Sequence, residues 1–304
     1  MSDQSKIDIC QLSPMKCGTT WLTSIVRRHP DMHVFNLRSV HPDDLPDDLD
    51  QVAREESLGA SDETALYARF PVGQRAIHRE TSTGRGQPPE HVTTRNSNPG
   101  HRLAARLLAH NPQMKFVVVL RNPIDRLLSH WRHDVVKMSA MRQSVNQRNN
   151  PAISVKKSAF KLYFDINEYI QARDFDFVQG PGFLRKSLYH WCLVEYLELF
   201  GPDRFLVLTA ESLFETPVDH LRSIFEFCGV SGMDEALLTA AASSPLNTAV
   251  DMERSLSGLL PRRRKVLVPL TRESRAILQK LFRAETQQLN VALGRAIGND
   301  WFSS

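Results

Sequence analysis

Along the chain, apolar residues follow two different spacings. Ile7 to Leu12 is a short β-rich run, and it ends in Ser13-Pro14-Met15-Lys16-Cys17-Gly18-Thr19-Thr20. The spacing of Trp21, Leu22, Ile25 and Val26 after it is helical, so the order is strand, loop, helix. A second strand is expected around Ala76-Ile77-His78, followed by a loop at Gly84-Arg85-Gly86-Gln87-Pro88-Pro89 and irregular chain to Pro99. His101 to His110 reads as a helix through Leu103, Leu107 and Leu108. Asn111-Pro112 closes that helix ahead of Phe116-Val117-Val118-Val119-Leu120. This apolar run does not alternate, so both of its faces must be buried, as in the centre of a parallel sheet. A helix on each side of it gives a βαβ arrangement.

Asn122-Pro123 opens another helix, with proline where the first turn tolerates it and Ile124, Leu127, Leu128 and Trp131 on one face. Ser139 to Ser158 is polar and reads as an excursion. Helices are expected over Ile166 to Ala172 and Leu184 to Leu199, a strand at Arg204 to Leu208, and a helix from Val218 to Phe227 that stops at Cys228-Gly229. A loop rich in Arg and Pro, Leu260 to Pro269, precedes a long helix from Arg272 to Leu293.

A length of 304 residues suits one large α/β domain with an insertion, or two small domains. Hydrophobic residues at 41% and charged residues at 24% exclude wholesale disorder and a fibrous repeat. The net charge of +4 is too weak a field to argue for nucleic acid. Nine acidic residues against Arg54 between His41 and Glu63 read as a solvated surface segment. Cys10, Cys17, Cys192 and Cys228 are too few and too scattered for a disulfide framework, which points to a reducing compartment. With a polar start at Met1 to Lys6 and no apolar run near the length of about 18 residues that a span needs, the expectation is a cytoplasmic protein.

The candidate chemistry lies in the first loop. A polar loop between a buried strand and a helix directs backbone N–H groups and the positive end of the helix dipole at one point, which makes an anion site. Lys16 adds a mobile charge, Gly18 allows close backbone approach, and Thr19 and Thr20 add hydroxyl donors. The pattern G-x-x-x-x-G-K-[ST] does not fit, because Lys16 precedes Gly18 and no glycine opens the loop. A plain strand-to-helix turn capped by threonine is the bland alternative. Arg121 follows the main core strand directly, at the carboxyl end where ligands gather in open α/β sheets, and Ser129 stands eight residues further on. Arg121 as a helix cap and Ser129 as an exposed helix serine are the neutral readings. His130 and His133 have the spacing of a metal pair on a helix, but no third ligand is apparent near them.

With both elements on the page, the sequence resembles the sulfotransferases that use 3'-phosphoadenosine-5'-phosphosulfate (PAPS). Pro14-x-Lys16-x-Gly18-Thr19-Thr20-Trp21 is similar to that family's 5'-phosphosulfate loop, and Arg121 with Ser129 is similar to its 3'-phosphate pair at the same spacing. Asn111-Pro112-Gln113-Met114-Lys115 and Arg121-Asn122-Pro123-Ile124-Asp125-Arg126 look most like the branch of heparan sulfate sulfotransferases and bacterial homologues. Weaker similarity runs through Glu211-Ser212-Leu213, Pro217, Phe227-Cys228-Gly229-Val230 and Leu293-Gly294-Arg295 before Trp301. The fold implied is α/β, a three-layer P-loop-like fold with a central, mainly parallel β-sheet flanked by helices. It would be one sulfotransferase domain over 1–304, with acceptor-side excursions at 37–75 and 139–165.

The resemblance implies PAPS as donor, PAP as product and no metal. By carry-over, Lys16, Cys17, Gly18, Thr19 and Thr20 meet the 5'-phosphosulfate, Arg121 and Ser129 the 3'-phosphate, and Trp21 the adenine. Trp21 reads equally well as a core residue. Lys16 is also the catalytic cation, because negative charge grows on the leaving phosphate. For the general base the resemblance points to Glu80 in Arg79-Glu80-Thr81-Ser82-Thr83, although Thr81 and Thr83 depart from that branch's Lys and Pro. His78 is the rival, with Glu90 and His101 behind it. Arg262, Arg263 and Arg264, with Lys265, stand where the family has a basic cofactor-covering loop; a solvated basic turn is the other reading. The acceptor would be a small molecule, a carbohydrate or a lipid. Neither nucleic acid nor a membrane span is expected, and a homodimer is allowed. The competing classes are a nucleotide kinase with an irregular loop and a PAP-binding scaffold without turnover.

Overall fold

In a computed structural model of the chain, the described residues are 9–14, 16–30, 32–35, 65–69, 99–133, 166–171, 182–230, 234–243 and 269–303. The strands are β1 (Ile9–Gln11), β2 (Met32–Phe35), β3 (Ala65–Arg69), β4 (Lys115–Leu120) and β5 (Phe205–Thr209). They form one sheet in the order β2-β3-β1-β4-β5 with every pairing parallel. The run expected to be buried on both faces is β4, which lies between β1 and β5 with Phe116 to Leu120 all buried. Because successive side chains of a strand point to opposite faces, β4 feeds two cores at once.

On one face, Phe116, Val118 and Leu120 pack with Leu107 of α2 (Pro99–His110), Leu193 and Tyr196 of α6 (Tyr189–Phe200) and Leu289 of α10 (Arg272–Leu293). On the other, Val117 and Val119 pack with Leu22 and Ile25 of α1 (Thr19–Val26), with Leu221 and Phe225 of α8 (Pro217–Cys228) and with Leu238 of α9 (Glu235–Ala242). The result is three layers. A third apolar cluster joins α3 (123–133), through Ile124, Leu127 and Trp131, to α4 (Ile166–Gln171), α5 (Gly182–Arg185) and α10.

The expected helices and strands near β4, at β5, α8 and α10 are present with small shifts of boundary. α2 begins at Pro99 rather than His101. α8 carries proline in its first turn and ends at Gly229 in the left-handed conformation. The helix expected over 184–199 is broken into α5 and α6 at residues 186–188. Ser187 explains the break, because its hydroxyl is taken by Arg126 Nε at 2.7 Å and donates to the Pro123 carbonyl at 3.1 Å. β2 and β3 were not expected. Ala65–Arg69 falls within 37–75, read above as an excursion, yet it lies inside the sheet between β2 and β1. Its sequence, Ala-Leu-Tyr-Ala-Arg, has no β-branched residue, and neighbours on both sides decide its conformation. α7 (Ala210–Glu215), capped by the Thr209 hydroxyl accepting from Ser212 N, is a further unexpected element. The strand expected at 76–78, the acidic segment 41–63 and the polar excursion 139–158 lie outside the described residues.

Phe116 stacks on Phe205 at 4.6 Å with an interplanar angle of 12°, and meets Phe200 and Tyr196 edge-on. Phe116→Ala should therefore lower stability by about 3–5 kcal/mol. A urea unfolding midpoint unchanged by the substitution would contradict its place in the core.

Candidate functional site

The chain leaves β1 to build β2 and β3 on one side of it, then crosses to build β4 on the other. That reversal opens a crevice beyond the carboxyl ends of β1 and β4, where α/β folds hold ligands. The loop after β1 is seated there by buried polar groups. Ser13 Oγ accepts from Val119 N at 2.7 Å and from Gln11 Nε2 at 3.4 Å, while Thr23 Oγ1 donates to Thr19 O at 2.7 Å. Gln11, Ser13, Thr19 and Thr23 are all buried. The start of the loop is thus tied to β4 just before Arg121.

Lys16 has φ of 76°, the one positive value outside glycine among the described residues. Gly18, at φ 79° and ψ 12°, caps α1 through its own backbone, with Leu22 N donating to its carbonyl at 3.0 Å. A helix start presents N–H donors and the positive end of its dipole, so the beginning of α1 is suited to an anion. The φ alone favours glycine at position 18, and space does too: a Cβ there would lie 2.7 Å from the Phe214 ring. Phe214, on α7, is 51% exposed and meets Trp21 edge-on at 5.3 Å.

Arg121 reaches from the end of β4 toward the loop, its Nη1 donating to Lys16 O at 3.5 Å. Its own carbonyl accepts from the Tyr189 hydroxyl at 2.6 Å. Asn122 caps the helix at 123–133, its Oδ1 accepting from Ile124 N at 3.0 Å and Asp125 N at 3.4 Å, with Pro123 in the first turn. Ser129 lies on this helix, half-buried, two turns beyond Arg121.

Further positive groups stand beneath. Arg126 is fully buried, with Nε donating to Ser187 Oγ, Nη2 to Phe183 O, and Nη1 to His130 Nδ1 at 3.3 Å. A guanidinium only donates, so His130 Nδ1 is the acceptor and the ring proton sits on Nε2. Burial first, then the charges of Arg126, Lys186, His133 and Lys16, holds His130 well below its ordinary value and keeps it neutral. These neighbours leave the His130 and His133 pair a poor cation site. Burial also pushes the Cys17 thiol up to about 12, against the lowering influence of Arg126 and Arg121. Lys16 and Lys186 with Arg126 thus act on His130, and Arg121 with Arg126 on Cys17, so their positive charges bear on one region beneath the loop.

The family model for the sulfotransferase domain matches residues 6–248. The chain belongs to the sulfotransferase family. It is 22% identical over 291 residues to carbohydrate sulfotransferase 15 of Rattus norvegicus, covering 83% of this chain and 49% of that protein. To carbohydrate sulfotransferase 15 of Mus musculus it is 24% identical over 162 residues, covering 52% of this chain and 28% of that protein. The chain therefore spans at most about half the length of these relatives. A crystal structure of a sulfotransferase from Alicyclobacillus acidocaldarius superposes with a TM-score of 0.55 at 17% identity, covering 98% of this chain and 99% of that one, which supports the α/β fold.

In this chain Arg121 and Lys16 meet through a hydrogen bond beyond β1 and β4, with Gly18 at the start of α1 and Ser129 on the helix after Arg121, while Thr19 is buried. Cys17, counted above with the cofactor-binding residues, is 0% exposed; its thiol belongs to the core and only its backbone is left to a ligand. Trp21 is 2% exposed among Leu22, Ile25 and Leu213, the core reading of the two given above. The side chains of Thr20 and His101, and residues Glu80, His78, Glu90, Arg262, Arg263 and Arg264, lie outside the described residues. Sequence reasoning missed Ser13, Gln11, Thr23, Phe214, Tyr189 and Glu211, whose roles rest on contacts rather than on a local pattern.

Two outcomes are expected of the chain. Gly18→Ala should destabilise by about 1–2 kcal/mol from its backbone alone. Combining it with Phe214→Ala should relieve the steric part and leave that backbone part, as thermal unfolding of both variants would reveal. Acid should also act through His130. Below its ordinary value of 6.5 the unfolded chain binds a proton there that the folded chain refuses, so stability is intact above that pH and falls below it. The slope from this one group is about 1.4 kcal/mol per pH unit. Urea unfolding of His130→Gln from pH 7 to 4.5 should show a shallower slope than wild type; identical slopes would contradict the assignment.

Proposed function

We propose that this chain transfers a sulfuryl group from PAPS to a hydroxyl or amine of an acceptor, with PAP as the other product. The observation that carries the reading is the meeting of Lys16, the start of α1 and Arg121 beyond β1 and β4, in a chain of the sulfotransferase family. A carbohydrate is the favoured acceptor class, since the curated relatives are carbohydrate sulfotransferases. The cytoplasm is the proposed compartment, in keeping with four cysteines too few and too scattered for a disulfide framework.

Bound PAPS supplies an activated sulfuryl group on a phosphate leaving group. Lys16 and the N–H groups at the start of α1 would hold the 5'-phosphosulfate and oppose the negative charge that grows on that phosphate. Arg121 and Ser129 would hold the 3'-phosphate, Arg121 by the planar fork that suits phosphate oxygens. Arg126 and His130 would not touch the ligand; they fix the helix that bears Ser129 against α5. Glu80 or His78 would take the acceptor proton, and one of Arg262, Arg263 and Arg264 would cover the donor.

Calorimetric titration with PAP beside ADP and Mg²⁺, on wild type, Ser129→Ala and Arg121→Ala, tests this. Wild type should prefer PAP, and each substitution should weaken that binding about tenfold or more, the worth of one hydrogen bond to a charged group. Preference for ADP with Mg²⁺ would turn the reading toward a kinase. PAP binding with no sulfation in an acceptor screen would leave a scaffold.

A further inference from the structure

The backbone turn that carries Arg121 is held by residues far away in sequence that the proposed reaction does not use. Asn122 N donates to Glu211 Oε1 at 2.8 Å, and Asn122 Nδ2 donates to the Trp301 carbonyl at 3.0 Å. Trp301 Nε1 donates in turn to Glu211 Oε2 at 3.4 Å, so one carboxylate clamps both partners. The Trp301 ring, 7% exposed, meets the Tyr189 ring edge-on at 6.0 Å, and the Tyr189 hydroxyl holds the Arg121 carbonyl. Trp301 thus touches the Arg121 turn through the Asn122 side chain, through Glu211 and through Tyr189.

The segment after α10 is shaped to deliver this ring. α10 ends at Gly294 in the left-handed region, and Ile297 N donates to Asn290 Oδ1 at 2.9 Å to fold the chain back. Gly298 has φ of 64°, and a Cβ there would lie 2.3 Å from the Trp301 ring, so only glycine lets the ring take its place. Arg283 secures the next residue by donating to the Phe302 carbonyl at 3.0 Å.

We propose that Trp301, acting through Glu211, Asn122 and Tyr189, is a positioning residue that presets Arg121 for the anionic end of the donor; this rests on the reading of Arg121 as a 3'-phosphate ligand. Fixing the backbone that carries Arg121 in advance leaves less freedom to lose on binding.

The test measures PAP affinity by calorimetry, donor KM and kcat, and melting temperature. The variants are Trp301→Ala, Trp301→Phe, Glu211→Gln and Gly298→Ala, each in the full chain. Trp301→Ala should weaken PAP binding and raise donor KM about tenfold, with kcat within about twofold of wild type. Trp301→Phe keeps the ring and loses the N–H, and should fall between the two. In an Arg121→Ala background, Trp301→Ala should add less than about twofold, because it acts through the side chain already removed. If Trp301→Ala fails to fold, Trp301→Phe and Glu211→Gln carry the same expectation. Variants that melt earlier but bind PAP as wild type does would overturn this inference alone, as would a Trp301→Ala loss that adds in full to Arg121→Ala. Wild type that does not bind PAP would overturn the donor reading, and this inference with it.

Discussion

β1 lies parallel to β4 with Ile9 opposite Lys115 and Gln11 opposite Val117, and just past the paired residues Ser13 Oγ accepts from Val119 N. This junction brings together two chain segments about a hundred residues apart and leaves their loops side by side. The loop after β1 ends in the helix start of α1, and the turn after β4 carries Arg121. Each alone is an ordinary connection. Together they put a lysine, an arginine and a helix dipole over one crevice, where a low-dielectric wall strengthens their common field. The Arg121 contact to Lys16 O is the direct trace of that meeting.

Concentrating positive charge in a folded core costs solvation, and the structure offsets that cost with neutral acceptors. Buried Arg126 directs donors to a serine hydroxyl, a backbone carbonyl and a histidine nitrogen. His130 can serve as that acceptor only because its surroundings keep it uncharged. A carboxylate in its place would pair with Arg126 and cancel part of the field that an anionic ligand needs. Glu211 accepts from the Asn122 and Trp301 N–H groups.

Backbone geometry does the rest. Lys16 and Gly18 both have positive φ, and the Phe214 ring lies where a side chain at position 18 would be. The loop is therefore confined by its own torsions, by the Ser13 and Thr23 hydrogen bonds from inside and by an aromatic ring from outside. A loop so confined presents its N–H groups without having to order them at the moment of binding.

Much of this was legible in the sequence. The unbroken apolar run at Phe116 to Leu120, the helical spacings around it, Pro123 at a helix start and Gly229 at a helix end are local signals, and local signals survive without tertiary context. Lys16, Gly18, Arg121 and Ser129 were marked by position relative to strand ends and by resemblance, and family membership follows from the sequence alone. Other features were decided only in three dimensions. β3 has weak strand propensity and is a strand because β1 and β2 flank it. Cys17 and Trp21 sit in the loop motif but turn into the core, a choice made by the packing of α1 against β4 and α8. What Ser13, Glu211, Tyr189 and Trp301 do is not marked in their local sequence, since each acts through a hydrogen bond to a residue 68 to 179 positions away. The sequence by itself determined β4, the helices beside it and the polar loop that leads into α1, because those depend on neighbours along the chain. The tertiary structure alone decided which side chains meet over the crevice, because that depends on the order in which parallel strands pair.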